Sequence, residues 1–271
     1  MSGNGNARMG KGAVVVGASS GMGAALAREL ARRGYLVALV GRRQDVLDQL
    51  SQDINRDINR ARPDATGAPA APLARAYAHD VRHYDEVPRL LARIWSDLEA
   101  SGGAPRLVVY AAGVMPRGEN GGWSFADERA MMEVNVIGAM AWLDAAAAAF
   151  HTAGRGTIAA ISSVAGDRGR KGNSAYMASK AALSTYLESL RYRLHGTGVR
   201  VVTLKPGYVA TAMTAGMKLP KPLVISADAA AKRIAVRCER GRDVAYIPGY
   251  WGPIMRVIRL VPAALMPRLP I

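Results

Sequence analysis

The 271-residue chain contains one cysteine, Cys238. A lone thiol cannot close an internal disulfide, and no zinc-ligand pattern accompanies it, so neither staple nor metal is expected to hold the fold. Acids are also scarce: 21 Asp and Glu stand against 36 Lys and Arg, a formal net charge of +15. Aromatics make up 6% of the chain, with no aromatic RNA-binding pattern and no helix-turn-helix. Nucleic acid is therefore the last of the anionic partners that such a charge suggests. An anionic membrane surface comes before it, and part of the arginine content simply covers solvated faces. The opening MSGNGNARMGKG shows no secretion signal, which makes a reducing cytoplasm the expectation, with Met9 as an alternative start. Half of the residues are hydrophobic. That excludes a disordered chain and supports one large α/β domain or two small ones.

Apolar runs alternate with segments of helical period almost to the end. GAVVVGA (12–18) reads as a strand, and GMGAALARELARRG follows with Ala and Leu at helical spacing and Gly34 as its stop. YLVALVGR (35–42) is the next strand. The following helix aligns Leu47, Leu50, Ile54 and Ile58, and its DINRDINR tandem is a local duplication. Residues 61–75, rich in Ala and Pro, read as a loose connection. RAYAHDV gives a strand ending at Asp80, and RLVVYAAG gives another. MMEVNVIGAMAWLDAAAAAF (131–150) is a long helix, GTIAAISSVAG a strand with a polar exit, and VRVVTLKPG a sixth strand. Repeated β-α units with apolar strands imply a single α/β domain over 1–271, a Rossmann-type doubly wound parallel sheet with helices on both faces.

Gly17, Gly21 and Gly23, with Ser19, Ser20 and Met22 between them, lie directly after the first strand and open the first helix. A dinucleotide pyrophosphate binds in such a turn: glycine lets backbone approach phosphate, and the helix end supplies free N–H groups and positive dipole. The second strand ends LVGRRQD, without the acid that would bind the ribose 2′-hydroxyl of NAD. Arg42 and Arg43 suit the 2′-phosphate of NADP instead, unless they merely begin a solvated helix. Asp80, with Val81 behind it, is placed either to meet the adenine or to cap the next helix.

Tyr176 and Lys180 are one helical turn apart in NSAYMASK, so phenol and ammonium share a face. Such a pair is common by chance. Its surroundings give it meaning: Ser163 lies thirteen residues upstream at a strand exit, Asn135 lies in the preceding long helix, and the glycine turn opens the same sheet. Ser162 is the alternative to Ser163, although strand alternation and the spacing favour Ser163.

With GASSGMG, HDV, AAG, VNVIG, ISSVAG, YMASK and KPGYVAT in this order, nearly the whole chain resembles the short-chain dehydrogenase/reductase family. The resemblance implies an NADP(H)-dependent carbonyl reductase or alcohol dehydrogenase, with NAD(H) as the lesser cofactor. Tyr176 would be the acid in reduction and the base in oxidation. Its phenol pKa, ordinarily near 10, would be lowered by Lys180 and by an oxidised nicotinamide. Lys180 would also hold the nicotinamide ribose, Ser163 would polarise the carbonyl, and Asn135 would hold a water linking Lys180 to solvent. Ala112 and Gly113 would lie along the cofactor, and Pro206, Gly207, Val209 and Thr211 would cradle its nicotinamide end. Two departures, Val16 before the first glycine and YAAG (110–113), imply apolar packing where the family commonly knits its central strands with polar contacts.

The segments that meet substrate in this family here supply Met115, Pro116, Met177, Tyr208, Met213 and Met217, an apolar and deformable set. Beyond Asp243 there is no acid, and Arg256, Arg259 and Arg268 punctuate an apolar stretch (250–271). The two helical arginines would share a face opposite, in part, Ile254, Val257, Ile258 and Val261. That tail would lie in a membrane interface, peripheral at its inner face, or pack on the protein; four prolines make it too broken to span. GDRGRKGNSAYMASKAAL, KPGYVATAM, DVAYIPGYWGPIMRVIRLVP and the terminal RLPI resemble, more narrowly, the decaprenylphosphoryl-2-keto-ribose reductases of this family. That likeness implies a lipid-linked 2-keto-sugar substrate. The rivals are a reductase of a soluble ketone or 3-oxoacyl substrate and a non-catalytic NADP-binding sensor or scaffold. A homodimer or homotetramer through the two long helices is expected by analogy with the family.

Overall fold

A computed structural model describes residues 10–61, 73–116, 124–241 and 243–269. Its strands and helices alternate as β1 (Gly10–Val16), α1 (Gly21–Arg32), β2 (Tyr35–Gly41), α2 (Gln44–Ala61), β3 (Ala74–Ala78), α3 (Val87–Ala100) and β4 (Gly103–Tyr110). Then come α4 (Phe125–Met132), a π-helical turn (Glu133–Ile137), α5 (Gly138–Ala153), β5 (Gly156–Ile161), α6 (Ser174–Arg193) and β6 (Val199–Pro206). The chain closes with β7 (Val209–Ala210), β8 (Ile225–Ser226), α7 (Ala227–Arg240), β9 (Val244–Ile247) and α8 (Trp251–Leu260). Seven parallel strands form the sheet in the order β3-β2-β1-β4-β5-β6-β9, and β7 pairs with β8 beside it.

The sheet is buried on both faces, and the period of two along β1 shows it. Ala13 and Val15 join the core beneath α1, α2 and α7, while Val14 and Val16 join the core beneath α3, α5 and α6. The strand order reverses at β1, with β2 and β4 on its opposite sides, and this leaves a crevice at the carboxyl ends of the strands. Val16 is fully buried beside Tyr110, whose hydroxyl donates to the Val134 carbonyl at 2.6 Å. The apolar packing expected at this departure is present, and the polar tie has moved to the π-helical turn.

Three boundaries differ from the sequence reading. β3 ends at Ala78 rather than Asp80, because Asp80 is drawn into a turn by Arg82, whose backbone N–H donates to its carboxylate. Of the connection read at 61–75, residue 61 ends α2, β3 begins at 74, and residues 62–72 lie outside the described set, as do Met9 and the last two residues of RLPI. A seventh strand of the sheet, β9, stands unread just before the tail, and its four residues pair with β6. The helix from Phe125 to Ala153 is long and apolar enough to cross a membrane by composition alone. Trp142, Leu143, Ala146 and Phe150 nevertheless bury it against the sheet.

Helix α8 also differs from its reading. Trp251 and Met255 are buried against Val164, with Tyr208, Tyr246, Ile254 and Ile258 packed around them. Val257 does not share that face: it is 66% exposed and Leu260 83% exposed, on the same outward side as Arg256 and Arg259. The tail therefore docks on its own domain by one face and presents a basic, apolar face outward.

Candidate active site

The glycine-rich turn has the shape of a phosphate cradle. Gly17 has φ +89°, and a Cβ on it would collide with the backbone of Ala112; a Cβ on Gly23 would collide with the Gly17 carbonyl. Ser20 is the N-cap of α1, yet its side chain makes no capping bond, and the first turn has no acid. The first N–H groups of that helix are thus left to another acceptor. Thr211, after β6, closes the turn from the far side, 3.5 Å from where a Gly21 Cβ would be. These features fit a dinucleotide.

At the tip of β2, Arg43 donates to the Ser19 carbonyl at 3.1 Å and to its hydroxyl at 3.3 Å. Arg42 is exposed beside it. Asp80 is bound to the Arg82 guanidinium at 2.6 Å, and that hydrogen-bonded pair holds its carboxyl down at about 2. Both of its oxygens are engaged by Arg82, and Val81 behind it is buried against Gly138 of α5.

Helix α6 carries the central pair. Asn173 caps it: its Oδ1 accepts the Tyr176 N–H at 2.8 Å, and its Nδ2 donates to the Pro116 carbonyl at 3.3 Å. The helix buries one stripe, Ser179, Lys180, Leu183, Leu187 and Leu190, so Lys180 is driven inward by its spacing from the leucines. Its Nζ donates to the Ile161 carbonyl at 2.9 Å and lies 5.8 Å from the centre of the Tyr176 ring. Burial lowers the Lys180 pKa to about 8. Burial also pushes the Tyr176 phenol up, with a Ser163 hydrogen bond pulling it back. In the protein alone, removing the phenolate from water outweighs its neighbours; the lowering expected from Lys180 and oxidised nicotinamide together concerns the cofactor complex.

The two serines part company. The Ser162 hydroxyl donates to the Lys180 carbonyl at 2.8 Å and bonds Ser184 at 2.7 Å, inside the packing of α6. Ser163 caps the short turn Val164–Asp167, accepts the Ala165 N–H at 3.0 Å and lines a cavity together with Tyr176. Asn135 lies fully buried in the π-helical turn, the kind of irregularity that re-aims a side chain. Its Oδ1 accepts the Val114 N–H at 2.8 Å; its Nδ2 donates to the Val114 carbonyl and the Ser179 hydroxyl, both at 3.0 Å. Both amide protons are thereby used, and the side chain fixes the strand exit after β4. Gly113 faces Asn135 and Lys180 there, with room for a Cβ only at 3.4–3.5 Å from them; Ala112 abuts Gly17.

The cavity holds about 730 Å³. Met115, Pro116, Met177, Tyr208, Met213 and Met217 all line it, as do Ser163, Tyr176 and Gly207. Pro206 and Val209 are buried beside it. Beneath its floor lies a group unread in the sequence. Asp167 accepts from both the Lys205 ammonium and the Tyr246 hydroxyl, the latter at 2.7 Å, tying the Ser163 turn to β6 and β9. Partners 38 and 79 residues apart leave no spacing signal. Asn173, by contrast, was readable as an N-cap before a helix.

Comparison with known proteins accords with this arrangement. The short chain dehydrogenase family profile matches residues 11–221. An uncharacterised oxidoreductase of Myxococcus xanthus is 36% identical over 253 residues, 93% of each chain. One of Mycobacterium tuberculosis is 31% identical over 257 residues, 94% of this chain and 95% of its own. A solved structure described as an NAD(P)-dependent gluconate 5-dehydrogenase of Beutenbergia cavernae, with bound NADP, is 25% identical. It superposes with a TM-score of 0.71 over 89% of this chain and 96% of its own. A phosphate cradle, Ser163 and Tyr176 on one cavity with Lys180 buried 5.8 Å from the tyrosine ring, and a family match over most of its length make this chain a member of the short-chain dehydrogenases, NAD(P)-dependent oxidoreductases.

Proposed function

We propose that the protein is an NADP(H)-preferring reductase of a ketone on an apolar or lipid-linked substrate, acting reversibly as an alcohol dehydrogenase. The observation that carries this reading is the convergence of Ser163, Tyr176 and a methionine-rich lining on one cavity of about 730 Å³. When bound, the dinucleotide supplies or accepts the hydride at the carbonyl carbon. Gly17, Ser19, Ser20, Gly21, Met22 and Gly23 would hold its pyrophosphate, with Ala112, Gly113, Pro206, Gly207, Val209 and Thr211 along its nicotinamide half. Asp80 and Val81 would meet the adenine, and Arg42 and Arg43 the 2′-phosphate. The NADP bound to the Beutenbergia cavernae protein supports that choice by likeness.

The chain's own groups manage the proton. Tyr176, kept neutral by burial, donates its phenolic proton to the developing alkoxide, and Ser163 orients the carbonyl oxygen while its hydrogen bond stabilises the phenolate left behind. Lys180, whose ammonium is easily deprotonated in its buried site, returns a proton toward the phenolate and holds the nicotinamide ribose. Asn135, its amide protons already committed, positions the segment after β4 and can hold a water beside Lys180 only through its oxygens.

The sharpest form of the substrate is a polyprenylphosphoryl 2-keto-sugar, supported by the methionine lining, the net charge of +15 and the outward basic-apolar face of α8. That face would rest on an anionic bilayer at the cytoplasmic side, and the exposed Ile137 and Met140 of the long helix would meet a second copy of the chain. NADPH oxidation over a panel of short and long-chain ketones tests the reading. Tyr176→Phe should abolish turnover while leaving NADPH binding within about threefold, and undiminished turnover refutes the assignment.

A further inference from the structure

One wall of the cavity has an electrostatic character that the reaction does not use. The loop from Asp167 to Asn173, between the serine turn and α6, brings Arg170 and Lys171 to the lining, and Lys218 reaches it from the segment after β7. None of the three takes part in the proton transfer described above. Among the described residues, Arg170 Nε is buried and has no hydrogen-bond partner. It is also the one cavity-lining member of the small set of buried, unpartnered side-chain atoms; the others are His79 Nδ1, Trp142 Nε1 and Trp251 Nε1. A buried donor without an acceptor is unfavourable unless something outside the chain supplies one.

The acids nearby do not fill that role. Asp127 and Glu128 line the same cavity, but they occupy the first turn of α4. Ser124 caps that turn by accepting the Asp127 N–H at 3.2 Å, and the helix dipole accounts for carboxylates there. The ion pair of that segment is Arg129 with Glu133 at 3.4 Å.

We infer that Arg170, flanked by Lys171 and Lys218, forms an anion subsite within the substrate cavity that takes a phosphate group carried by the substrate. A guanidinium presents parallel N–H donors matched to two phosphate oxygens, whereas the two lysines add charge without fixed geometry. The methionines of the same lining then receive the apolar chain attached to that phosphate. The inference rests on the reductase reading for the word substrate, but the subsite itself is defined by binding and can be measured without turnover.

Calorimetric titration of the full chain with n-decyl phosphate, n-decanol and inorganic phosphate tests it. The phosphate ester should bind at least tenfold more tightly than the alcohol and than inorganic phosphate. Arg170→Gln should lose about tenfold of that preference, and Arg170→Lys, which keeps the charge but not the fork, should lose an intermediate amount. Lys171→Gln with Lys218→Gln, both exposed and so safe for folding, should cost about threefold. Lys232→Gln, exposed on α7 away from the lining, serves as the charge control and should change nothing. Equal affinity for ester and alcohol overturns the subsite, as does an unchanged preference in both Arg170 variants. Inorganic phosphate binding as tightly as the ester would make it a free-anion site and overturn the substrate role. Turnover surviving Tyr176→Phe while these preferences hold would sink the mechanism and leave the subsite standing.

Discussion

Replacing Asp167 by Asn separates charge from shape beneath the candidate active site. The Asp167 side chain is 1% exposed and its Lys205 partner 12% exposed. Asn keeps an oxygen for the Tyr246 hydroxyl, which now donates at 2.7 Å, and keeps the volume. What it removes is the anion, leaving a nearly buried ammonium without a counter-charge. Removing one partner of a buried pair costs about 3–5 kcal/mol. For a domain of this size each kcal/mol lowers the melting temperature by about 2–4 °C, so Asp167→Asn should melt about 6–20 °C below the parent. Lys205→Met added to it should restore most of the loss, because two neutral partners no longer strand a charge; the double-mutant cycle isolates the coupling. Thermal unfolding followed by circular dichroism, at fixed protein concentration and pH 7, is the assay. A fall of less than about 2 °C would show that Lys205 is solvated rather than paired. A double variant as unstable as the single one would show that the loss comes from shape instead of charge.

Three further outcomes follow from the site and the tail. Burial lowers the Lys180 pKa from its ordinary 10.5 to about 8, so between those values the unfolded chain holds a proton that the folded chain has released. This residue's contribution to stability should therefore rise with pH from about 8 to 10.5, and urea unfolding across that window should show the rise weakened in Lys180→Met. Arg42→Ala combined with Arg43→Ala should raise the KM for NADPH at least tenfold while changing that for NADH less than threefold; equal losses would remove the NADP preference. Val257→Asp with Leu260→Asp places two acids on the exposed face of α8 without touching the buried Trp251 and Met255. Co-flotation with vesicles rich in anionic lipid should drop severalfold, and unchanged recovery would count against membrane docking.

The sequence carried the parts of this molecule that depend on local order. Strand alternation, the glycine turn and the one-turn spacing of Tyr176 and Lys180 are properties of neighbouring residues, and the motifs stand where those neighbours placed them. β9 escaped because four residues cannot display a period; only its pairing with β6 makes it a strand. The regular helices α3 and α7 were open to the same reading: Val87, Leu91, Ile94 and Leu98 form a clear buried stripe. The burial that raises the Tyr176 phenol in the protein alone was not legible along the chain, because desolvation is a property of the assembled site. Asp167, Lys205 and Tyr246, and the stranded donor of Arg170, became visible only when distant segments met.

The indole of Trp251 occupies the space that a side chain on Gly207 would need, and its ring meets Tyr208 edge-on at 5.3 Å. Positions 207 and 251 therefore share one volume between two distant parts of the chain. A substituent gained at 207 demands a smaller residue at 251, so the two can change only together. A chimera that exchanges the C-terminal helix for a relative's must bring a residue 251 that fits over glycine, or carry the strand exit along with it. The tail is thus inherited with the floor of the cavity that Gly207 lines, whatever surface its outer face meets.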